Sequence, residues 1–184
     1  MNNTLNIIAQ AIGFIGTAFL VISYQQKKRR GIIVFQIFCS AFFALHFYLL
    51  GAYTGCAMNV LGGLRSTVYS YSEEKKWAKH NFWPVLFFIV FLAAGILTWK
   101  NIWSLLPTFA MCLSTISLWL RDPKKIRFLT SPTLPCWLVY NLMNKSIAGF
   151  ITEIFTIISM ATAIIRYDVL PNRKSKRANN SAIN

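Results

Sequence analysis

Apolar runs long enough to cross a bilayer dominate this chain and leave little sequence between them. A stretch of about 17–25 apolar residues spans the hydrocarbon layer as a helix. The 184 residues hold seven such runs: Leu5–Tyr24, Gly31–Leu50, Tyr53–Tyr71, Phe82–Thr98, Ile102–Leu120, Ile126–Met143 and Ile147–Tyr167. No soluble domain of useful size fits in what remains. Only 13% of residues are charged, against roughly 25% in a soluble domain. The sequence therefore predicts an all-α membrane protein with seven transmembrane helices. The third, sixth and seventh runs are weaker by hydropathy, because they contain Asn59 and Arg65, Pro132 and Pro135, and Glu153. Six spans is the competing count.

The net charge of +14, from 19 Lys+Arg against 5 Asp+Glu, would in a soluble protein raise nucleic acid as a partner. The position of the charges argues otherwise. Lys27, Lys28, Arg29 and Arg30 occupy the first loop; Lys75, Lys76 and Lys79 the third, with Arg65 toward that end of its span. Arg121, Lys124, Lys125 and Arg127 lie at the fifth, and Arg166, Arg173, Lys174, Lys176 and Arg177 at the C-terminal end. These make 17 of the 19, and the opposite loops hold only Lys100 and Lys145. Cytoplasmic loops are the Lys/Arg-rich ones, which predicts an outside N-terminus and a cytoplasmic C-terminus. The alternation requires an odd number of spans, so it favours seven over six. Nucleic acid is not needed to explain the charge; the expected partner is the lipid bilayer, with attraction to anionic headgroups as a by-product. The tail after Pro171 is polar and basic, and is expected to be disordered. Met1–Thr4 lacks the basic region of a signal peptide, so the first span is expected to be retained. Cys39, Cys56, Cys112 and Cys136 fall inside spans, with no CxxC pair or Cys/His cluster. They read as packing residues, and no metal or cofactor is expected.

Shifting the sequence by 94 residues lays spans one to three on spans five to seven without a gap. Basic loop falls on basic loop, the short turn Gly51–Tyr53 falls on Lys145–Ile147, and Gly55 falls on Gly149. Residue identity is otherwise near chance, so span and charge register carry the repeat. Both halves would run in the same direction, which makes them parallel repeats about an axis along the membrane normal and makes span four an inversion linker. The expected organisation is a 3+1+3 arrangement: a first three-helix bundle over residues 5–71, a cytoplasmic loop and linker helix over 72–101, a second bundle over 102–167, and a basic cytoplasmic tail over 168–184.

Trp137-Leu-Val-Tyr140-Asn141 followed by Thr152-Glu153 resembles the W-x-x-Y-G…P-N pattern of SWEET and semiSWEET transporters, with the same Trp-to-Asn spacing of sixteen. Phe43 and Asn59 hold the equivalent positions in the first half, and Tyr24-Gln25 resembles a degenerate PQ dipeptide of PQ-loop proteins. More closely, Leu45–Tyr53 with Arg65, and Ser146–Gly149 with Glu153, resemble the YgjV family of bacterial inner-membrane proteins over nearly the whole chain. That resemblance implies a multi-pass protein of the bacterial inner membrane and a solute path between two bundles. Glu153 in place of Asn, Phe43 in place of Trp and the missing tight PQ motif depart from the sugar-transporter pattern.

Glu153 is the one acid inside a predicted span. Ionisable residues in the membrane are costly and mark ion or solute paths by default, so Glu153 is the expected site of reversible proton binding; a hydrogen-bonded packing role is the alternative. Asn59, its counterpart in the overlay, should face the same axis, to serve a solute or to bond across helices. Phe43 and Trp137 are the candidate stacking surfaces, or else packing residues. His46 lies one turn outward of Phe43 and is expected at a depth close to that of Glu153, either relaying protons with it or sitting at the interface. Arg65, six residues inward of Asn59, is expected to snorkel to the interface, with a pair to Glu153 as the alternative. Pro107, Pro132 and Pro135 should bend their helices, while Gly13, Gly16 and Gly62-Gly63 permit close helix approach. No HExxH, GxSxG or P-loop motif is present, so no enzyme is expected. The leading expectation is a transporter or facilitator of an unidentified small solute, with substrate-binding residues Phe43, Asn59, Trp137 and Glu153 and a proton relay through His46 and Glu153. A non-transporting receptor or membrane-organising protein on the same architecture is the alternative. The sequence leaves self-association into a homo-oligomer open.

Overall fold

The computed structural model describes residues 3–26, 29–120 and 122–170. The expectations for Lys27, Lys28, Arg121 and the tail from 171 onward lie outside the described residues, as do the side chains of Tyr24 and Gln25. Every regular element described is helical: α1 Asn3–Gln25, α2 Arg29–Leu49, α3 Tyr53–Ser70, α4 Phe82–Leu97, α5 Leu105–Trp119, α6 Pro123–Thr130, α7 Thr133–Met143 and α8 Ile147–Ile164. A π-helical turn, Ile165–Val169, extends α8.

Three helical stretches are long and apolar enough to cross a membrane, Asn3–Ser23, Ile102–Trp119 and Ile147–Val169. Ile33–Leu49 and Phe82–Leu97 are apolar but shorter. The seventh run, expected to be weak, is therefore among the strong ones; one Glu does not outweigh its aliphatic neighbours. The sixth run does not form a single helix. Pro132 and Pro135 each lack a backbone N–H, and their rings collide with the carbonyl four residues back, so Ile126–Met143 breaks into α6 and α7 at Ser131-Pro132. Hydroxyls donate to carbonyls around the break: Thr133 Oγ1 to Thr130 O at 2.7 Å, and Ser131 Oγ to Arg127 O at 2.7 Å beside the Ser131 N–H at 3.0 Å. Asp122 caps α6 by accepting from Lys124 N at 2.9 Å, with Pro123 at the first helical position. At the far end Arg127 binds Asp168 through two hydrogen bonds, of 2.9 and 2.8 Å.

Helix bounds in the two halves differ by the same 94 residues. Leu49 ends α2 as Met143 ends α7, and Tyr53–Ser70 of α3 corresponds to Ile147–Ile164 of α8. The turns between them share one hydrogen-bond pattern. Gly51 N–H donates to Tyr48 O and Ala52 N–H to Phe47 O; Lys145 N–H donates to Leu142 O and Ser146 N–H to Asn141 O. This is the Schellman ending, which needs a left-handed residue just past the helix. Gly51 supplies it at φ +68° and Lys145 at φ +55°.

Helix packing follows the same exchange. α2 packs between α1 and α3, and α7 packs on α5 and α8. The ring closes through α1 on α8 and α3 on α5, two contacts that change places when the halves are swapped. α4 lies outside this ring against α3 and α5, where Gly95 seats directly on Thr108. Apolar side chains such as Ile7, Ile96, Leu97 and Phe128 face outward.

Candidate functional site

Between the helices of the ring lies a cavity of about 270 Å³. At about 30 Å³ per liquid water, that is room for about nine waters, or one small solute. Phe43, Asn59, Trp137 and Glu153 all line it, with Arg65. The structure thus brings together, in one chamber, four residues drawn from α2, α3, α7 and α8. His46 is not among its lining residues.

Its placement follows from the packing of glycines. Gly55 and Gly149 each sit one turn before the polar residues Asn59 and Glu153. A side chain at Gly55 would meet Phe47 Cγ at 2.9 Å and Tyr140 Cε1 at 2.8 Å; one at Gly149 would strike Asn141 and Ser146. Phe47 and Asn141 are themselves equivalent in the overlay, so α3 and α8 lean on the same aromatic and amide layer from opposite sides. Asn59 and Glu153 follow one turn further along α3 and α8, and both line the cavity. Phe47 packs on Trp137 at 6.1 Å between ring centroids and on Tyr140 at 5.8 Å.

Asn59 Nδ2 donates to Gly55 O on its own helix at 2.9 Å, rather than across helices. Glu153 Oε2 is buried without a hydrogen-bond partner. Neighbouring Thr152 is tied to Thr17 of α1 through a 2.6 Å hydroxyl pair.

His46 is fully buried and bound at both ring nitrogens: Nδ1 to Ala9 O at 2.6 Å and Nε2 to Ser146 Oγ at 2.7 Å. A carbonyl only accepts, so Nδ1 carries the proton and Nε2 accepts from the serine. The expected shared depth with Glu153 does not hold. Ser146 caps the start of α8, and Glu153 lies seven residues further on, about 10 Å at 1.5 Å per residue. The structure brings His46 to a joint between α1, α2 and α8, not to the carboxylate. Its overlay counterpart Tyr140 makes the mirror contact: Gly55 N–H donates to Tyr140 Oη at 2.8 Å, and Tyr140 Oη donates to Ala52 O at 3.5 Å. Each half therefore sends one side chain across to the first turn of the other half's third helix. With Gln10 bridging Lys145 O and Ala148 N at 2.9 and 3.1 Å, these contacts close the cavity at the end that carries the Gly51 and Lys145 turns.

The opposite end carries basic residues such as Lys79. A second cavity, of about 560 Å³, lies there among Gln36, Tyr69, Ser70, Lys79, Asn81 and Trp119. Ser66 lines both chambers.

Arg65 neither snorkels nor pairs with Glu153. It is 5% exposed, and Nη1 donates to Ser114 Oγ at 2.8 Å, Thr115 Oγ1 at 2.9 Å and Met111 O at 3.3 Å on α5. Phe91 of α4 lies 5.3 Å beneath its guanidinium carbon. Three fixed oxygens and a ring face offer a planar cation more than the distant interface does. Arg65→Met is expected to lower thermal stability by about 1.5 kcal/mol, the scale of a hydrogen bond to a charged group. Arg65→Lys should not recover it, because an ammonium lacks the planar face. Thermal unfolding in detergent reads both.

Reading the residues singly missed Asn141 and Phe47, whose signal is their equivalence in the overlay, six residues before each third helix begins. Among the described residues no cluster of His, Cys, Asp or Glu could hold a metal ion.

A family model described as bacterial inner membrane protein, Imp-YgjV, matches residues 7–170. Inner membrane protein YgjV of Escherichia coli (strain K12) is 24% identical over 161 residues, 87% of this chain and 84% of that protein. No solved structure matches the chain.

Proposed function

The chain belongs to the YgjV family of bacterial inner membrane proteins, and from that premise we propose that it carries a small solute across the membrane through the chamber between two parallel three-helix bundles. The observation that carries this reading is the cavity itself. Phe43, Asn59, Trp137 and Glu153 meet in it from both halves, it is closed at the turn end, and it adjoins a larger chamber at the basic end through Ser66. The shared 94-residue offset of helix bounds and turn hydrogen bonds supports treating residues 5–71 and 102–167 as repeats, with α4 as the linker between them. On the positive-inside argument, the turn end is external and the basic end cytoplasmic. The solute then rests in a chamber facing the cytoplasm, and rocking one bundle on the other would expose it to the far side. The proposed role involves no covalent chemistry.

Proton coupling is the finer part of the proposal, and among the described residues Glu153 is the only carboxyl lining the chamber. A thermal-unfolding screen of small metabolites against the purified protein would find the solute, and its uptake into liposomes is then measured across pH. Wild-type uptake should vary with pH, and uptake by Glu153→Gln should not. An unchanged pH profile in the variant would rule out coupling through this residue.

A further inference from the structure

The chamber holds one acid and one base among its lining residues, Glu153 and Arg65. They do not neutralise each other. Glu153 Oε2 is buried with no hydrogen-bond partner, and so is Arg65 Nε. The guanidinium's other contacts are neutral: two hydroxyls and a carbonyl of α5 through Nη1, and the Phe91 ring. A guanidinium keeps its charge in proteins, and an uncompensated buried charge is costly. Among the described residues, neither atom has a partner of opposite charge.

Arg65 and Glu153 line the chamber from α3 and α8. Arg65 is six residues past Asn59 on α3, about 9 Å along the helix, and Asn59 and Glu153 are equivalent positions in the overlay. Phe43, Phe47 and Trp137 supply an apolar wall to the chamber. Aromatic faces also favour a cation, and Phe47 seats at Gly55, the overlay equivalent of Gly149 one turn before Glu153.

We propose that the chamber binds a small zwitterion of amino-acid size, its ammonium on Glu153 and its carboxylate on the Nε side of Arg65. A neutral polyol would fill the same hydrogen bonds but leave both protein charges unopposed. A simple amine or simple acid would answer one charge and leave the other. With a zwitterion bound, every charge has a counter-charge and the chamber as a whole stays neutral. The proposal deepens the transport reading and rests on it for its biological use, but the chemistry of the site is read by binding alone.

The test is calorimetric titration of the detergent-purified full-length protein with probes that share one carbon skeleton. These are norleucine with both charges, pentylamine with the ammonium only and hexanoate with the carboxylate only; glucose is added as an unrelated neutral polyol, and glycine and alanine as smaller amino acids. At least one amino acid should bind tenfold or more tighter than pentylamine, hexanoate and glucose. Glu153→Gln should erase the advantage of the amino acid over hexanoate. Arg65→Met should erase its advantage over pentylamine. Glucose or pentylamine binding as tightly as the amino acids would overturn the proposal, as would failure of all three amino acids to bind. The wild-type comparison alone decides the matter if either variant fails to fold. Amino-acid binding without counterflow in liposomes would keep the zwitterion site and reject transport; counterflow of glucose alone would keep transport and reject the zwitterion.

Discussion

Gly149→Val is expected to be among the most destabilising single changes in this protein, costing about 3 kcal/mol and leaving little folded material in the membrane. A side chain at this position would strike Asn141 and Ser146. Neither can give way. Asn141 is fully buried, and Ser146 Oγ already accepts from Gly149 N–H at 3.1 Å while bound to His46. The control is Gly63→Ala, where the added methyl meets the Ser40 side chain, Cβ at 3.5 Å and Oγ at 3.9 Å. That is ordinary contact, so the better helix former should leave stability unchanged or raise it by up to about 1 kcal/mol. Thermal unfolding of both variants in one detergent measures the difference. Similar losses at 149 and 63 would show that close backbone approach at the turn end has no special weight.

The contrast between these two glycines shows which parts of the molecule are legible in its sequence. Helices and turns are local, and their signals survive: hydrophobic runs placed α1 to α5 and α8, and the 94-residue register anticipated that Gly51 and Lys145 would hold equivalent turns. Lys145 shows why register outperformed residue type there, since a lysine carries none of the usual preference for a left-handed position. The candidate residues of the chamber were legible for the same reason: two overlaid halves that face an axis must present equivalent positions to it. What the sequence hid depends on partners far along the chain. Arg65 looked like a residue seeking the interface because its three oxygen partners lie on α5, more than forty positions away. His46 looked like a relay because its depth was counted along its own helix, whereas Ala9 and Ser146 fix it in the turn layer. The broken sixth run is an intermediate case. Pro132 and Pro135 announced a bend, but the full break is also supported by the Ser131 and Thr133 hydroxyls, which donate to carbonyls of the preceding turn.

Removing both crossing contacts of the turn layer, in the double variant His46→Ala/Tyr140→Phe, should open the end that is now closed. Each contact fastens one half to the other where a third helix begins: His46 onto Ser146, and Tyr140 onto the Gly55 N–H. Tyr140→Phe keeps the ring against Phe47 and removes the hydroxyl, so the Gly55 N–H is left buried and unpaired and the long bond to Ala52 O is lost. A lost buried hydrogen bond of this kind costs about 1–3 kcal/mol, and each 1.4 kcal/mol is about tenfold in a population ratio. If the halves rock about the chamber, that energy is released from the closed state alone, because in the open state both groups meet water. Spin labels on cysteines at Tyr53 and Ile147, equivalent and exposed positions at the starts of α3 and α8, report the separation once the native cysteines are replaced by serine. The parent should give one short distance. Each single variant should add a minor longer one, and the double variant should shift the balance toward it by more than either alone. A distance that stays single and short while the melting temperature falls would mean that His46 and Tyr140 stabilise a rigid fold, and the chamber would then have no turn-side exit to gate.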